Sequence, residues 1–418
     1  MNELDALRTN RERLWQSIME MGEIGATPGG GVGRIALTDL DRQARDLFVS
    51  WCQAADCSVS VDRVGNIIAR REGVDPQAPP VTTGSHLDTQ PLGGKFDGIY
   101  GVLAGLEVVR TLNDARVRTR APIDVIVWTD EEGVRFNGLL ASGVFAGVYS
   151  LDYALARTDA DGVSFGEALA SIGYAGTAPV GEHAVNAFFE AHIEQGPILE
   201  AEGKPVGVVL GAQGQRCFVV TVNGEEGHAG TLPMSMRKDA MLGAARMVDA
   251  LNGIAFKHAP PPVITVGHVK VRPNSRNTIP GQVVFSIDSR HPDDVVLAAL
   301  HEEMRLACEG IARDLELGVD FSLQSERPSV AFHDECVNLV RDTAERLGIG
   351  HQDIYSGAGH DACQLAHKAP TGMIFVPCEG GVSHNEKENA RPADLAAGCD
   401  VLMHVLLKRA GDAQTTRK

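Results

Sequence analysis

The chain has 418 residues with 55 acidic against 38 basic side chains, a net charge of −17, and is 44% hydrophobic and 22% charged, an ordinary globular composition without a low-complexity tract. The length suits two domains, or one large α/β domain carrying an insertion. The acidic balance argues against a nucleic-acid partner, which needs a basic stripe to displace phosphate counterions, and no run of 18 apolar residues is available to span a bilayer.

The opening stretch MNELDALRTNRERLWQSIMEMGEIG has mixed charge and helical periodicity, not the basic-then-apolar plan of a signal peptide. The eight cysteines, Cys52, Cys57, Cys217, Cys308, Cys336, Cys363, Cys378 and Cys399, contain no C-x-x-C pair. That spacing fits single thiols in a reducing compartment better than a disulfide framework or a thiolate zinc site. A cytoplasmic location is expected.

From residue 58 to 250 apolar runs alternate with helical stretches, as in α/β proteins. SVSVDRVGNIIARRE reads as a hairpin about Val64-Gly65, and PPVTTGSH as a strand ending at His86. GIYGVLAGLEVVRTL reads as a helix with small residues on one face. APIDVIVWTD is a near-continuous apolar run, the mark of a strand buried on both faces. NAFFEAHIEQ and KPVGVVLG add two more strands. Charged residues cluster where these strands end, which is where ligands bind in open α/β sheets.

A different rhythm runs from 213 to 329. CFVVTVN is a strand, SMRKDAMLGAARMVDAL a helix, and VITVGHVKV and VVFSIDSR two further strands. The helix DDVVLAALHEEMRLACEGIARDL and the strand LGVDFSLQ complete a β-α-β-β-α-β set, the ferredoxin-like order. The α/β pattern then resumes with helices at Glu335–Leu347 and Asp361–His367 and the strand TGMIFVP. The expected architecture is a discontinuous main domain, 1–212 and 330–418, interrupted by a small domain at 213–329. The closing RAGDAQTTRK has nothing to bury and is expected to fray.

The chemistry gathers at strand ends. In GSHLDTQPLGGKFDG, His86 and Asp88 lie two apart and point to the same side. Asp97 follows where a Gly-rich loop meets a helix. TDEEG sets Asp130, Glu131 and Glu132 in succession at the end of a buried strand. Two carboxylates 4 Å apart repel by roughly 4 kcal/mol at an effective dielectric near 20, so such a cluster calls for protons or cations. HIEQG places His192 and Glu194 at another strand end, and GGVSHNEKE places His384 in a loop after TGMIFVP. Imidazole and carboxylate without thiolate suit zinc, manganese, cobalt or nickel, and the set is large enough for two ions with one shared carboxylate.

The order H-x-D, D-G, E-E-G, H-I-E-Q-G and S-H-N-E resembles the M20-type metallohydrolases. It resembles most closely their hydantoinase/carbamoylase branch: N-carbamoyl-L-amino acid hydrolases, β-ureidopropionases and allantoate amidohydrolases. A histidine at the fourth ligand position, His192, rather than a carboxylate, points to that branch. The resemblance implies a phosphorylase/hydrolase-like mixed-sheet catalytic domain with an inserted ferredoxin-like lid and dimerisation domain. It implies one ion held by His86, Asp97 and His192 and a second by Asp97, Glu132 and His384. Asp88 would orient His86 through its other ring nitrogen, and Glu131 would be the general base.

The inserted region places His228 between small residues before a helix, Asn277 in a turn and Arg290 at a strand end. The resemblance assigns them to the substrate carboxylate and the developing oxyanion. An arginine fork suits a carboxylate, with Arg276 the rival for that task. Gln195 would bond the ureido group. In SGAGHDAC, Gly357, Gly359 and His360 precede a helix opening at Asp361, and Gly-rich backbone there could offer N–H donors to a ligand. The implied protein is a homodimeric amidohydrolase with two divalent ions per subunit. It would cleave the C–N bond of a small ureido or amide carboxylate, with N-carbamoyl amino acids first in line. Allantoate, 3-ureidopropionate and, more remotely, dipeptides or N-acyl amino acids are the alternatives.

Overall fold

The structure, a computed structural model, describes residues 3–182 and 184–411. The expected fraying of 409–418 does not hold at its start, where Arg409 and Ala410 finish helix Pro392–Ala410 with Ala410 buried and Arg409 bonded to Asn186; 412–418 lie outside the described residues. The chain forms two compact units, Met1–Gly211 with Ala331–Lys418, and Ala212–Val330. Among the described residues no helix is long and apolar enough to cross a membrane.

The larger unit is built on a mixed sheet. Its middle is four parallel strands in the order Ile123–Trp128, Val81–His86, Ala187–Ile193, Thr371–Val376. Every residue of the four is buried, which is why IDVIVW reads as a near-continuous apolar run. Antiparallel strands flank them: Ile67–Arg71 with Ser58–Val61 on one side, Val206–Ala212 on the other. The hairpin turn lies where expected, with Asp62 accepting from the Val64 and Asn66 amides and Gly65 at φ 85°.

Parallel strands in register end together. His86 stands beside Trp128, and His192 beside Phe375. The chain then turns into helix Ile99–Asp114 through Gly98, at φ 71°. A Cβ at Gly98 would lie 2.3 Å from the His86 ring, so only glycine lets the helix start this close to the strand end.

The insert is an antiparallel sheet in the order Val269–Arg272, Gln282–His291, Gly214–Asn223, Gly318–Arg327. With helices Ala240–Ala255 and Asp294–Asp314 this is the βαββαβ arrangement. Strand Gln282–His291 alternates half-buried and buried. Its Val283, Phe285 and Ile287 pack with Met247 and Leu251 of one helix and Leu297, Leu300 and Met304 of the other.

Two details differ from the sequence reading. VITVGHVKV is two strands, Val263–Thr265 and Val269–Arg272, both paired with Gln282–His291; Gly267 falls in the gap and gives the ladder no side chain to pack. The first insert helix starts at Ala240, not at the preceding Ser-Met-Arg, because Asp239 caps it by accepting from the Met241 and Leu242 amides.

Candidate metal centre

Five side chains meet at the common end of the four parallel strands and form two triads around Asp97. Asp97 Oδ1 lies 3.2 Å from His192 Nε2 and 3.8 Å from His86 Nε2. Its other oxygen lies 3.3 Å from His384 Nε2, which is 3.5 Å from Glu132 Oε2. His86, Asp97 and His192 can each offer one ligand atom within a common 4.8 Å, as can Asp97, Glu132 and His384. Glu131 turns the other way from its neighbour, placing Oε2 3.5 Å from His86 Nε2.

The donor set fits divalent cations. Asp97, Glu132, Glu131 and Asp88 are all buried or nearly so. Burial, reinforced by Asp361, Glu132 and Asp97, pushes the Glu131 carboxyl well above the usual carboxylate range. Burial and Asp97 push Glu132 up to about 6. Burial would depress His192, yet Asp97 overrides it and raises the ring to about 9; Asp97 likewise raises His384 to about 9. Without cations the cluster recruits protons, and bound cations would replace them.

Several supports differ from their expected form. His86 Nδ1 is bonded to the main-chain carbonyl of Asp88 at 2.8 Å, whereas the nearer Asp88 carboxylate oxygen is 4.0 Å away. That carboxylate instead accepts from the Glu131 and Glu132 amides at 3.4 and 3.2 Å. Asp88 therefore orients the ligand with its backbone and holds the acidic turn with its side chain. Gln195 donates to Asp97 Oδ2 at 2.9 Å and to Ser383 Oγ at 3.2 Å, leaving its buried Oε1 without a partner. Three of the turns leaving the strands pass through left-handed non-glycine residues, Asp130 (φ 61°), Gln195 (φ 59°) and His384 (φ 52°). Such strain gathers at functional sites.

The loop before Asp361 is only partly as expected. Gly357 and Gly359 are exposed, and His360 is buried with its Nε2 2.9 Å from Ser356 Oγ. The helix runs only Asp361–Leu365, and its Ala362 amide is taken by Glu190 at 2.8 Å. A helix this short adds little dipole, and in the loop the Ala358 amide is taken by Ser356 Oγ at 3.1 Å.

In the insert, His228 and Asn277 sit side by side. Strand Gly227–His228 pairs with Thr278–Ile279, and the Ala229 amide donates to the Asn277 carbonyl. His228, Asn277 and Arg276 are all exposed. Arg290 lies eight residues beyond Gln282 on the long strand, about 27 Å away at 3.4 Å per residue, whereas the His228 pair flanks the Gln282 end. Arg290 also has an internal partner, Asp288, through Nε–Oδ1 and Nη2–Oδ2 bonds of 3.0 Å each.

Sequence reasoning missed Glu388. Buried, it accepts from the Phe96 and Asp97 amides at 3.0 and 3.1 Å and from Ser383 Oγ at 3.1 Å. Burial and Asp97 push it up to about 7. The only signal was its place in NEKEN, where a short run of charges reads as solvated loop.

Comparison with known proteins agrees with this geometry. A profile of peptidase family M20/M25/M40 matches residues 82–408. An N-carbamoyl-L-amino-acid amidohydrolase of Rhizobium meliloti is 48% identical over 96% of this chain and 97% of its own. A namesake from Geobacillus stearothermophilus is 40% identical over 94% and 97%. A hydantoinase/carbamoylase-family amidase of Burkholderia multivorans superposes with a TM-score of 0.95 at 55% identity, over 97% of this chain and 99% of that one. The chain belongs to the M20/M25/M40 peptidase family, in its hydantoinase/carbamoylase branch. The family and the candidate ligand groups together point to divalent metal use.

Proposed function

We propose that this protein hydrolyses the ureido C–N bond of N-carbamoyl-L-amino acids, releasing the amino acid, carbon dioxide and ammonia. The observation that carries the reading is Asp97 standing between two His/carboxylate triads with Glu131 beside them; two full-length relatives bearing that activity in their names support the substrate. Two divalent ions held there, zinc or manganese with cobalt or nickel also suited, would acidify a water molecule and polarise the scissile carbonyl. His86, Asp97 and His192 would hold one, and Asp97, Glu132 and His384 the other. Glu131 takes a proton from the attacking water and passes it to the leaving nitrogen, a task suited to a carboxyl whose proton affinity is already raised. His228 and Asn277 stabilise the developing oxyanion, Arg290 clamps the substrate carboxylate, and Gly359, His360 and Gln195 line the ureido group. The eight unpaired thiols support a reducing, cytoplasmic compartment.

Ammonia release by the manganese- or zinc-loaded protein from N-carbamoyl amino acids, 3-ureidopropionate and allantoate tests the substrate. N-carbamoyl-L-amino acids should be turned over fastest; cleavage of dipeptides or N-acyl amino acids without ammonia would overturn the reading.

We further propose a homodimer with shared sites. One insert cannot present both ends of its sheet to one small molecule, so His228 and Asn277 serve a different centre from Arg290 of the same copy. Mixing His228→Ala with Glu131→Gln protein should restore about a quarter of wild-type turnover after random exchange, since half the dimers are mixed and each has one complete site. No recovery after verified exchange would place His228 in its own subunit's site.

A further inference from the structure

The segment Ser383–Glu388 does more than deliver His384. Its Glu388 carboxylate is divided between two loops of the centre. Oε1 accepts the successive Phe96 and Asp97 amides, and Oε2 accepts the Ser383 hydroxyl. Ser383 Oγ also lies 3.2 Å from Asp97 Oδ2, the oxygen that faces His384, so its single proton is shared between the two carboxylates. One buried side chain thus ties the bridging aspartate to the loop that carries the last ligand. The sequence is shaped to admit it: a Cβ at Gly94 would lie 2.0 Å from Glu388 Oε1 and 2.4 Å from its Cβ. Glu386 pins the same segment from the far side. It is bonded to Thr27 Oγ1 and accepts from the Gly29 amide at 3.2 Å, in a stretch where Gly31 abuts the Glu386 backbone.

The two triads do not depend on this tie equally. His86 and His192 belong to fully buried strands, and their Nδ1 atoms lie 2.8 Å from the Asp88 carbonyl and 2.9 Å from the Ile193 carbonyl. Their positions follow from the sheet. His384 sits in a loop at positive φ with half its side chain exposed, outside any strand, and the bonds of Glu386 and Glu388 anchor the segment that carries it. We infer that Glu388 is a positioning residue that fixes the His384–Asp97–Glu132 metal position selectively, by locking the Asp97 turn to the Ser383–His384 loop. This rests on the two-ion reading above.

The test is titration of the metal-free protein with Mn2+, counting free ion by electron paramagnetic resonance, alongside thermal unfolding without metal. Wild-type protein should take up two ions. Glu388→Gln should keep the first at near wild-type affinity and bind the second about 10- to 100-fold more weakly, the usual effect of removing a support behind a ligand. Gly94→Ala, which keeps the Glu388 carboxylate but pushes it out of position, should reproduce the same uneven loss and serves if Glu388→Gln does not fold. Two ions bound with unchanged affinities in a folded variant, or equal weakening of both, overturns the inference. Fewer than two ions in the wild type overturns the two-ion reading itself.

Discussion

In the larger unit the central strands run parallel and are buried on both faces; in the insert they run antiparallel and are buried on one. The consequence for function is direct. Parallel strands all finish at one edge, so side chains from positions as far apart as 86 and 384 converge there without long loops. Antiparallel strands finish at alternate edges, so the insert spreads its polar residues: His228 and Asn277 at one end, Arg290 at the other. The first arrangement builds a centre within one chain. The second holds two sets of polar side chains far apart.

The sharpest way to break this contrast is at Glu131, where the larger unit is predicted to carry the chemistry. Glu131→Gln keeps the shape and removes the basic site; kcat should fall about 10²- to 10⁴-fold while metal content stays at the wild-type level. His86→Ala should instead lower the metal content and abolish turnover, whereas Cys52→Ser, in a helix of the larger unit away from the strand ends, should do neither. A loss under tenfold for Glu131→Gln would move the base elsewhere.

The insert's counterpart is Arg290. If it clamps a carboxylate, Arg290→Lys should cost roughly 2–5 kcal/mol of transition-state binding, or on the order of 30- to several thousand-fold in kcat/KM, because a point charge cannot replace the fork. A substrate with a neutral amide in place of the carboxylate should lose as much. Arg290 is already forked onto Asp288, so the substrate must displace that carboxylate. Exposed Arg276 is the control; if Arg276→Lys is the damaging change, the clamp belongs there.

How far the sequence could be read follows the same division. Strand runs such as IDVIVW and AFFEAHI announce burial on both faces, and ligand-type residues stand at or just past their ends, Glu132 beyond the first and His192 within the second, so the metal-type side chains and Glu131 were legible one by one. What pattern could not show was how they are held. His86 leans on a backbone carbonyl, which has no sequence signature. Glu388 looks like any loop acid until the fold slides it past Gly94. In the insert the period-two alternation of QVVFSIDSRH revealed the sheet, but not the distance between its ends, nor that Arg290 already has Asp288 as a partner, because neither depends on local composition.

The smallest effect expected is in stability, and it too should separate the units. In metal-free protein His192 and His384 are raised to about 9, Glu132 to about 6 and Glu388 to about 7. A group whose pKa is raised on folding binds more protons in the folded state, so the stability it brings is full below its unfolded pKa and lost as pH climbs through the folded value. Unfolded glutamate titrates near 4.3 and histidine near 6.5. The acids therefore act between about pH 4.3 and 7, and the histidines between about 6.5 and 9. Asp97 is shifted the other way, well below the usual range, and is fully ionised throughout this window. Burial holds His360 well below the ordinary histidine value, which works the opposite way below about pH 6.5; the metal-free larger unit should thus lose stability chiefly between about pH 6.5 and 9, with half-exposed His384 contributing least because solvent screens it. For a unit of this size each kcal/mol is worth about 2–4 °C in Tm, so a fall of several degrees is expected, and saturating Mn2+ should flatten it. The check is hydrogen exchange as a function of pH. Amides of Val81–His86 and Ala187–Ile193 should lose protection at high pH, while those of Gly214–Asn223 and Gln282–His291, which carry no comparable cluster, should not. Equal loss in both units would mean that the charge cluster does not set the stability of the sheet that holds it.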